Sequence, residues 1–315
     1  MRFMQGLELA RRYFETYGLP LLENEFAAQK DQIAAGLVGR GSECFGYDDE
    51  QSKDHDFEAG FCFWLTDEAE QAFGFPLMRA YNRLPKSFLG VKMQAHSYYG
   101  NSRVGVFRIS DFYRELIGLP HAPETAEEWL YTPEYALSNA TNGAVFYDGA
   151  GVFSSIRQTL LDFYPEDVRR KKIAACLCLT AQSGQYNFNR CLAHGEPGAA
   201  LLARNEFVSA ALHLLFLLDK RYMPFYKWQF RAARELPGAG DLPDRLAALL
   251  SAPANEKTAE EIERIAAALL DRLAAAKIVQ KKSGETYLEP YAFAVLDTIE
   301  NRALRTMHIL DAGIE

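Results

Sequence analysis

Two styles of hydrophobic patterning follow one another along this chain, and they predict a sheet-bearing half and a helical half. Leu7, Leu9, Ala10, Tyr13 and Phe14 recur at helical spacing within residues 3–17, and Gly18 with Pro20 predicts the end of that helix. Residues 20–30 read as a second helix. Residues 33–38 form an unbroken apolar run of the kind a buried strand shows, and 57–65 form a second, aromatic one. Residues 66–80 predict a helix, 85–101 a loop punctuated by Gly90 and Gly100, and 103–109 a third strand. Short helices are predicted over 111–117 and Ala126–Tyr131. Asn142-Gly143 marks a turn. Ala144–Asp148 then reads as a short strand, and Gly149-Ala150-Gly151 turns into a helix from about Phe153.

Beyond that point the helical period dominates. Helices are predicted over 167–182, 199–221, 224–236, 242–250, 258–277 and 289–310, with Thr258-Ala259-Glu260-Glu261 as a capping box. The expected class is α+β: a mixed-sheet domain over 1–155, then a helical bundle domain over 156–315. With 315 residues, 49% of them hydrophobic, the chain can build two cores.

Charge and cysteines narrow the setting. The formal net charge is −8, which disfavours a nucleic-acid partner, since polynucleotides need a basic face. Arg169-Arg170-Lys171-Lys172 is the only basic cluster, and its helical setting suggests a solvated face. The five cysteines form no disulfide framework, and no C-x-x-C offers a zinc site. The N-terminal residues lack the apolar core of a signal peptide, and the longest apolar run, 207–218, is too short to span a bilayer. A cytoplasmic protein without a membrane partner is expected.

The stretch 39–56, G-R-G-S-E-C-F-G-Y-D-D-E-Q-S-K-D-H-D, carries the candidate chemistry. On a strand, Asp54 and Asp56 project from one face and His55 from the other. Two such carboxylates repel unless a cation lies between them, and hard oxygen ligands suit Mg²⁺, with Mn²⁺ as its substitute. Backbone N–H groups and the hydroxyl of the Gly41-Ser42 turn can meet the phosphates such a cation carries. The bland alternative is an acidic surface loop, because Asp48, Asp49 and Glu50 are acidic too.

Gly41, Ser42, Asp54 and Asp56 resemble the pattern of the nucleotidyltransferase superfamily. The same stretch, with Tyr164-Pro165-Glu166-Asp167, 182–187 (Q-S-G-Q-Y-N) and Tyr222-x-Pro224-x-Tyr226-Lys227-Trp228, is similar to a bacterial family known as domain of unknown function 4037. Arg40 stands where relatives often carry an acid, and Asp219 where they carry Asn. The resemblance implies a nucleotidyltransferase-like domain with a helical C-terminal domain. The family resemblance implies no substrate; with the superfamily pattern, the favoured expectation is Mg²⁺-dependent transfer of a nucleoside monophosphate from an NTP, ATP being the first choice, to an acceptor hydroxyl. The acceptor, a small molecule or a protein side chain, is not implied. A non-catalytic nucleotide-binding or regulatory protein on the same fold is the alternative.

The resemblance also asks for a third carboxylate as metal ligand or base. Asp148, at the end of a short strand, is the first choice and Asp111 the second; each equally suits a helix cap. Glu58 would share the strand face of Asp54 and Asp56. Lys227 is expected to grip the triphosphate, or else to be a surface lysine among core aromatics. Gln185, Asn187 and Arg190 either contact the nucleotide or acceptor or form a hydrogen-bond network between helices. His55 is expected on the rear face, and Phe61, Phe63 and Trp64 in the core.

Overall fold

Among the described residues four strands, in the order β5-β2-β1-β6, make the sheet: β1 (Ile33–Leu37), β2 (Cys62–Leu65), β5 (Gly105–Arg108) and β6 (Ala144–Asp148). The short hairpin β3 (Ser87–Phe88) and β4 (Val91–Lys92) forms a separate two-stranded sheet within the expected loop. β1 is antiparallel to β2 and β6, and β2 is parallel to β5, so the sheet is mixed. These elements come from a computed structural model that describes residues 4–50, 58–92 and 103–314. β1 is an uninterrupted apolar run because both of its faces are covered. Ile33, Ala35, Phe63 and Leu65 pack with Tyr13, Phe14, Phe26 and Phe61 on one side. On the other, Trp64 stacks on Phe153 at 3.9 Å between ring centroids and meets Phe112 edge-on.

The first helix does not end at Gly18. Gly6–Tyr13, the π-helical turn Phe14–Gly18 and Leu19–Glu25 follow one another without leaving helical geometry, with Gly18 at φ −70°, ψ −47°. Wider π-type hydrogen bonding lets the ladder pass Pro20, which has no N–H to donate. Gly18 is there for packing: a Cβ would lie 2.6 Å from the rings of both Phe14 and Phe61. The same device recurs at Glu70–Gly74, ahead of Pro76, joining Asp67–Ala69 to Phe75–Arg83.

The helical unit centres on Glu166–Thr180, packed against Pro197–Leu218 and Glu289–Asp297. Pro197–Leu218 is 22 residues long and apolar enough to cross a membrane by length and composition, longer than the sequence run suggested, and 67% of the window is buried inside the protein. Two expected helices are shorter. Only Gln229–Arg234 forms within 224–236, and 289–310 breaks into Glu289–Asp297 and Arg302–Thr306, where Asn301 caps the second piece. The helix predicted to start with the Thr258 capping box begins earlier, at Glu256. Asn255 caps it by accepting from the Thr258 N–H, and the Thr258 hydroxyl donates to the carbonyl of Pro253.

The basic cluster is not a solvated face. Arg169, Lys171 and Lys172 are buried. Lys172 Nζ donates to the carbonyls of Leu130, Ala312 and Gly313 at 2.9–3.0 Å, and Lys171 Nζ to those of Met307 and His308. Arg169 Nε donates to the carbonyl of Leu217. Carbonyls satisfy the two lysines in place of water, and Arg169 is satisfied by that carbonyl and by its ion pair with Glu166.

Two compact units result, 1–122 with 136–162, and 123–135 with 163–315. The division thus falls after Asp162 rather than at residue 155. The helix Val152–Leu161 stays with the sheet because Phe153 stacks on Trp64. Residues 123–135 belong to the helical unit because Trp129 packs on Tyr164 and Lys172 holds Leu130.

Candidate functional site

Strand register decides which groups share an end of the sheet. Gly36 pairs with Cys62, Cys62 with Gly105, and Leu37 with Ala144. The turn that follows β1, the segment that precedes β2, the residues before β5 and the Asn142-Gly143 turn before β6 therefore lie together. Gly39, Gly41 with the adjoining Ser42, Glu43, Glu58, Arg103 and Asn142 are gathered there.

Gly41 is dictated by its surroundings. Its φ is +146°, and a Cβ would run into the Arg103 guanidinium and the Glu43 carboxylate. Glu43 is ion-paired to Arg103. Burial pushes the Glu43 carboxyl above the usual carboxylate range, against the pull of the Arg103 cation. Asp48 is buried too; one carboxylate oxygen accepts the Gly6 N–H at 2.7 Å and the other, Oδ1, has no hydrogen-bond partner among the described residues. A small cavity is lined by Gly6, Leu37, Glu43, Glu58, Gly60 and Arg103. The far wall of the turn is Asn142, whose amide bonds both the N–H and the carbonyl of Gly39.

Asp54 and Asp56 lie outside the described residues, as does His55. Glu58, the first described residue after them, is not on a strand: β2 begins only at Cys62, so the strand-face alternation does not extend to it. Among the described residues, no three His, Cys, Asp or Glu side chains form a metal-holding group.

Asp148 and Asp111 do not join this end. Asp148 pairs with Ala34, near the start of β1, a strand's length from the Gly41-Ser42 turn. Both of its oxygens are engaged, accepting the N–H groups of Gly151 at 2.9 Å and Ser154 at 2.8 Å, as a residue that starts a helix does. Asp111 follows β5, whose last residue Arg108 pairs with Leu65 and so also stands at the Ile33 end. It is paired with Arg114.

Lys227 and Arg190 are in the helical unit. Lys227 is exposed, with its ammonium 5.0 Å above the Trp228 ring. Arg190 is exposed and lies over Tyr186 at 5.1 Å. Gln185 is structural: Nε2 donates to Glu263 and to the carbonyl of Thr286, and Oε1 accepts the Leu288 N–H. Asn187 is exposed.

Sequence reasoning passed over Arg103, Glu43, Asp48 and Asn142. The signal for Glu43 and Asp48 was their position between the Gly-Ser turn and the Asp pair. Arg103 and Asn142 gave none, because only strand pairing brings residues that remote to the turn.

The chain is α+β, a mixed-sheet unit with a helical C-terminal region. Within it, residues 129–229 match the model of a family described as Domain of unknown function (DUF4037). No curated protein matches the chain. A nucleotidyltransferase-like protein from Exiguobacterium sibiricum 255-15 superposes over 90% of this chain and 80% of its own, at 13% identity and a TM-score of 0.37. A likeness that loose leaves function to be argued from this chain's own residues.

Proposed function

We propose that the chain transfers a nucleoside monophosphate from an NTP, ATP before others, to an acceptor hydroxyl. One observation carries this reading. The Gly39–Ser42 turn stands at the same end of the sheet as Glu58, which follows the Asp54-x-Asp56 pair in sequence, and carboxylates and a guanidinium converge around it. A turn that needs glycine at Gly41, next to acidic oxygens, suits a triphosphate with its counter-cation.

The donor set fits Mg²⁺ in kind. Asp54 and Asp56 would hold it, and Glu58, the first described acid after them in sequence, replaces Asp148 for a supporting role. Bound there, the metal would neutralise phosphate charge as the leaving pyrophosphate develops. The chain's own residues position the reactants. Gly41 admits close approach of a phosphate to the backbone, Ser42 offers its hydroxyl, and Arg103 supplies a fixed positive charge beside the turn. Arg103 also keeps Glu43 from standing as an uncompensated buried anion.

One observation favours nucleotide binding without transfer: both acids expected to complete the set, Asp148 and Asp111, stand at the far end of the sheet. Incubation with each labelled NTP and Mg²⁺ beside a cell lysate, with mass spectrometry of whatever becomes labelled, separates the two. Transfer supports the enzyme. Saturable NTP binding with no labelled product leaves only the binding reading.

A further inference from the structure

The helical unit contains a cavity of about 310 Å³ that the nucleotide reading does not use. Inside it, Glu134 and His213 form a buried pair, with Oε2 3.0 Å from Nδ1. The other Glu134 oxygen accepts the N–H of Met223 at 3.0 Å. Aromatic rings line the outer part. Tyr135, Phe225 and Tyr226 are 40%, 51% and 71% exposed, far more than large aromatic side chains usually are. They touch one another: Tyr135 and Phe225 have ring centroids 6.3 Å apart, and Phe225 and Tyr226 4.3 Å. Among the described residues, no lysine or arginine lines the cavity. Lys227, next in sequence, instead lies over Trp228. The wall is anchored at Gly313, whose carbonyl is one of the three bonded by Lys172.

We propose that this cavity binds an organic ammonium ion with apolar substituents. A carboxylate at depth and several aromatic faces at the rim attract a cation through charge and through the ring quadrupoles together. An anionic ligand would meet Glu134 with no lysine or arginine in the lining to offset it. A neutral planar ligand would stack on the rings and leave the carboxylate unused. The amphipathic cation alone uses both halves of the site. This inference is independent of nucleotidyl transfer and survives its failure.

The test is calorimetry on the full chain with choline and with its neutral carbon isostere, 3,3-dimethylbutan-1-ol. Choline should bind in a one-to-one ratio, at least about tenfold more tightly than the alcohol. Tyr226→Ala and Phe225→Ala, both at exposed positions, should each weaken choline by about tenfold or more. Glu134→Gln should weaken choline and leave the alcohol unchanged. If that buried variant fails to fold by circular dichroism, the two aromatic variants carry the test. Equal affinity for choline and the alcohol would overturn the proposal. So would wild-type choline affinity in both aromatic variants, the absence of choline binding, or a preference for a nucleoside over choline.

Discussion

Asn142 grips Gly39 with both ends of its side-chain amide: Oδ1 accepts the Gly39 N–H at 2.9 Å and Nδ2 donates to the Gly39 carbonyl at 2.8 Å. A side chain 103 residues away thus acts as the next rung of the sheet and fixes the exit of β1 into the Gly39–Ser42 turn. Asn142→Ala leaves two backbone groups without that partner and should lower stability by about 1–3 kcal/mol. It should weaken NTP binding as well, because the turn loses its anchor. Chemical unfolding and calorimetry measure the two effects. A variant that is destabilised but binds NTP like the wild type would disconnect this contact from the site.

Asp148→Asn should keep full NTP turnover, since register places Asp148 near the start of β1, away from the turn. It should cost about 1 kcal/mol of stability, because one of two amide-accepting oxygens becomes a donor. A large drop in rate constant at unchanged NTP affinity would return Asp148 to the chemistry. The same assay on Glu58→Gln should show reduced turnover.

Lys172→Met should destabilise the helical unit by about 3 kcal/mol, since three carbonyls, two of them buried, lose their donor. Residues near Ala312 should become sensitive to limited proteolysis at the same time. Wild-type stability and an uncut C-terminal segment would mean that Lys172 does not tie that segment down.

Where sequence failed, it failed for nameable reasons. Gly18-Leu19-Pro20, Gly74-Phe75-Pro76 and Gly118-Leu119-Pro120 share one pattern, yet the first two continue a helix through a π turn. Only the third stops one, with Gly118 at φ 80°. Phe61 pressing on Gly18 decides the first case, and no local pattern encodes that contact. The basic run misled for a similar reason, because the carbonyls that hold Lys171 and Lys172 are remote in sequence, most of them more than a hundred residues downstream. The strand Ala144–Asp148 and the start of β1 at Ile33 were legible because apolar runs bounded by turns leave few alternatives. The end of the sheet at which Asp148 stands was not legible, since register is a property of pairing rather than of any one segment.

Tyr13 gives a pH test of the sheet unit's core. It is buried, its hydroxyl donates to the carbonyl of Pro85 at 2.8 Å, and burial, helped by Tyr17, pushes its pKa up to about 12. The folded state therefore favours the neutral phenol. That contribution is intact below the ordinary value of 10.0 and is lost as pH rises from there through about 12. Tyr13→Phe should lower stability near neutrality by about 1 kcal/mol and flatten the alkaline decline. Urea unfolding of both proteins on either side of the ordinary tyrosine pKa measures this. Parallel alkaline declines would contradict the assignment.

The most direct measurement is NTP turnover with Mg²⁺ by the wild type, Asp54→Asn and Asp56→Asn, read as labelled product and released pyrophosphate. The account predicts transfer by the wild type and none by either variant, with both variants folded and their Tm unchanged or raised as carboxylate repulsion is relieved. Equal turnover by all three proteins, or a wild type that neither binds nor turns over any NTP with Mg²⁺, would contradict it.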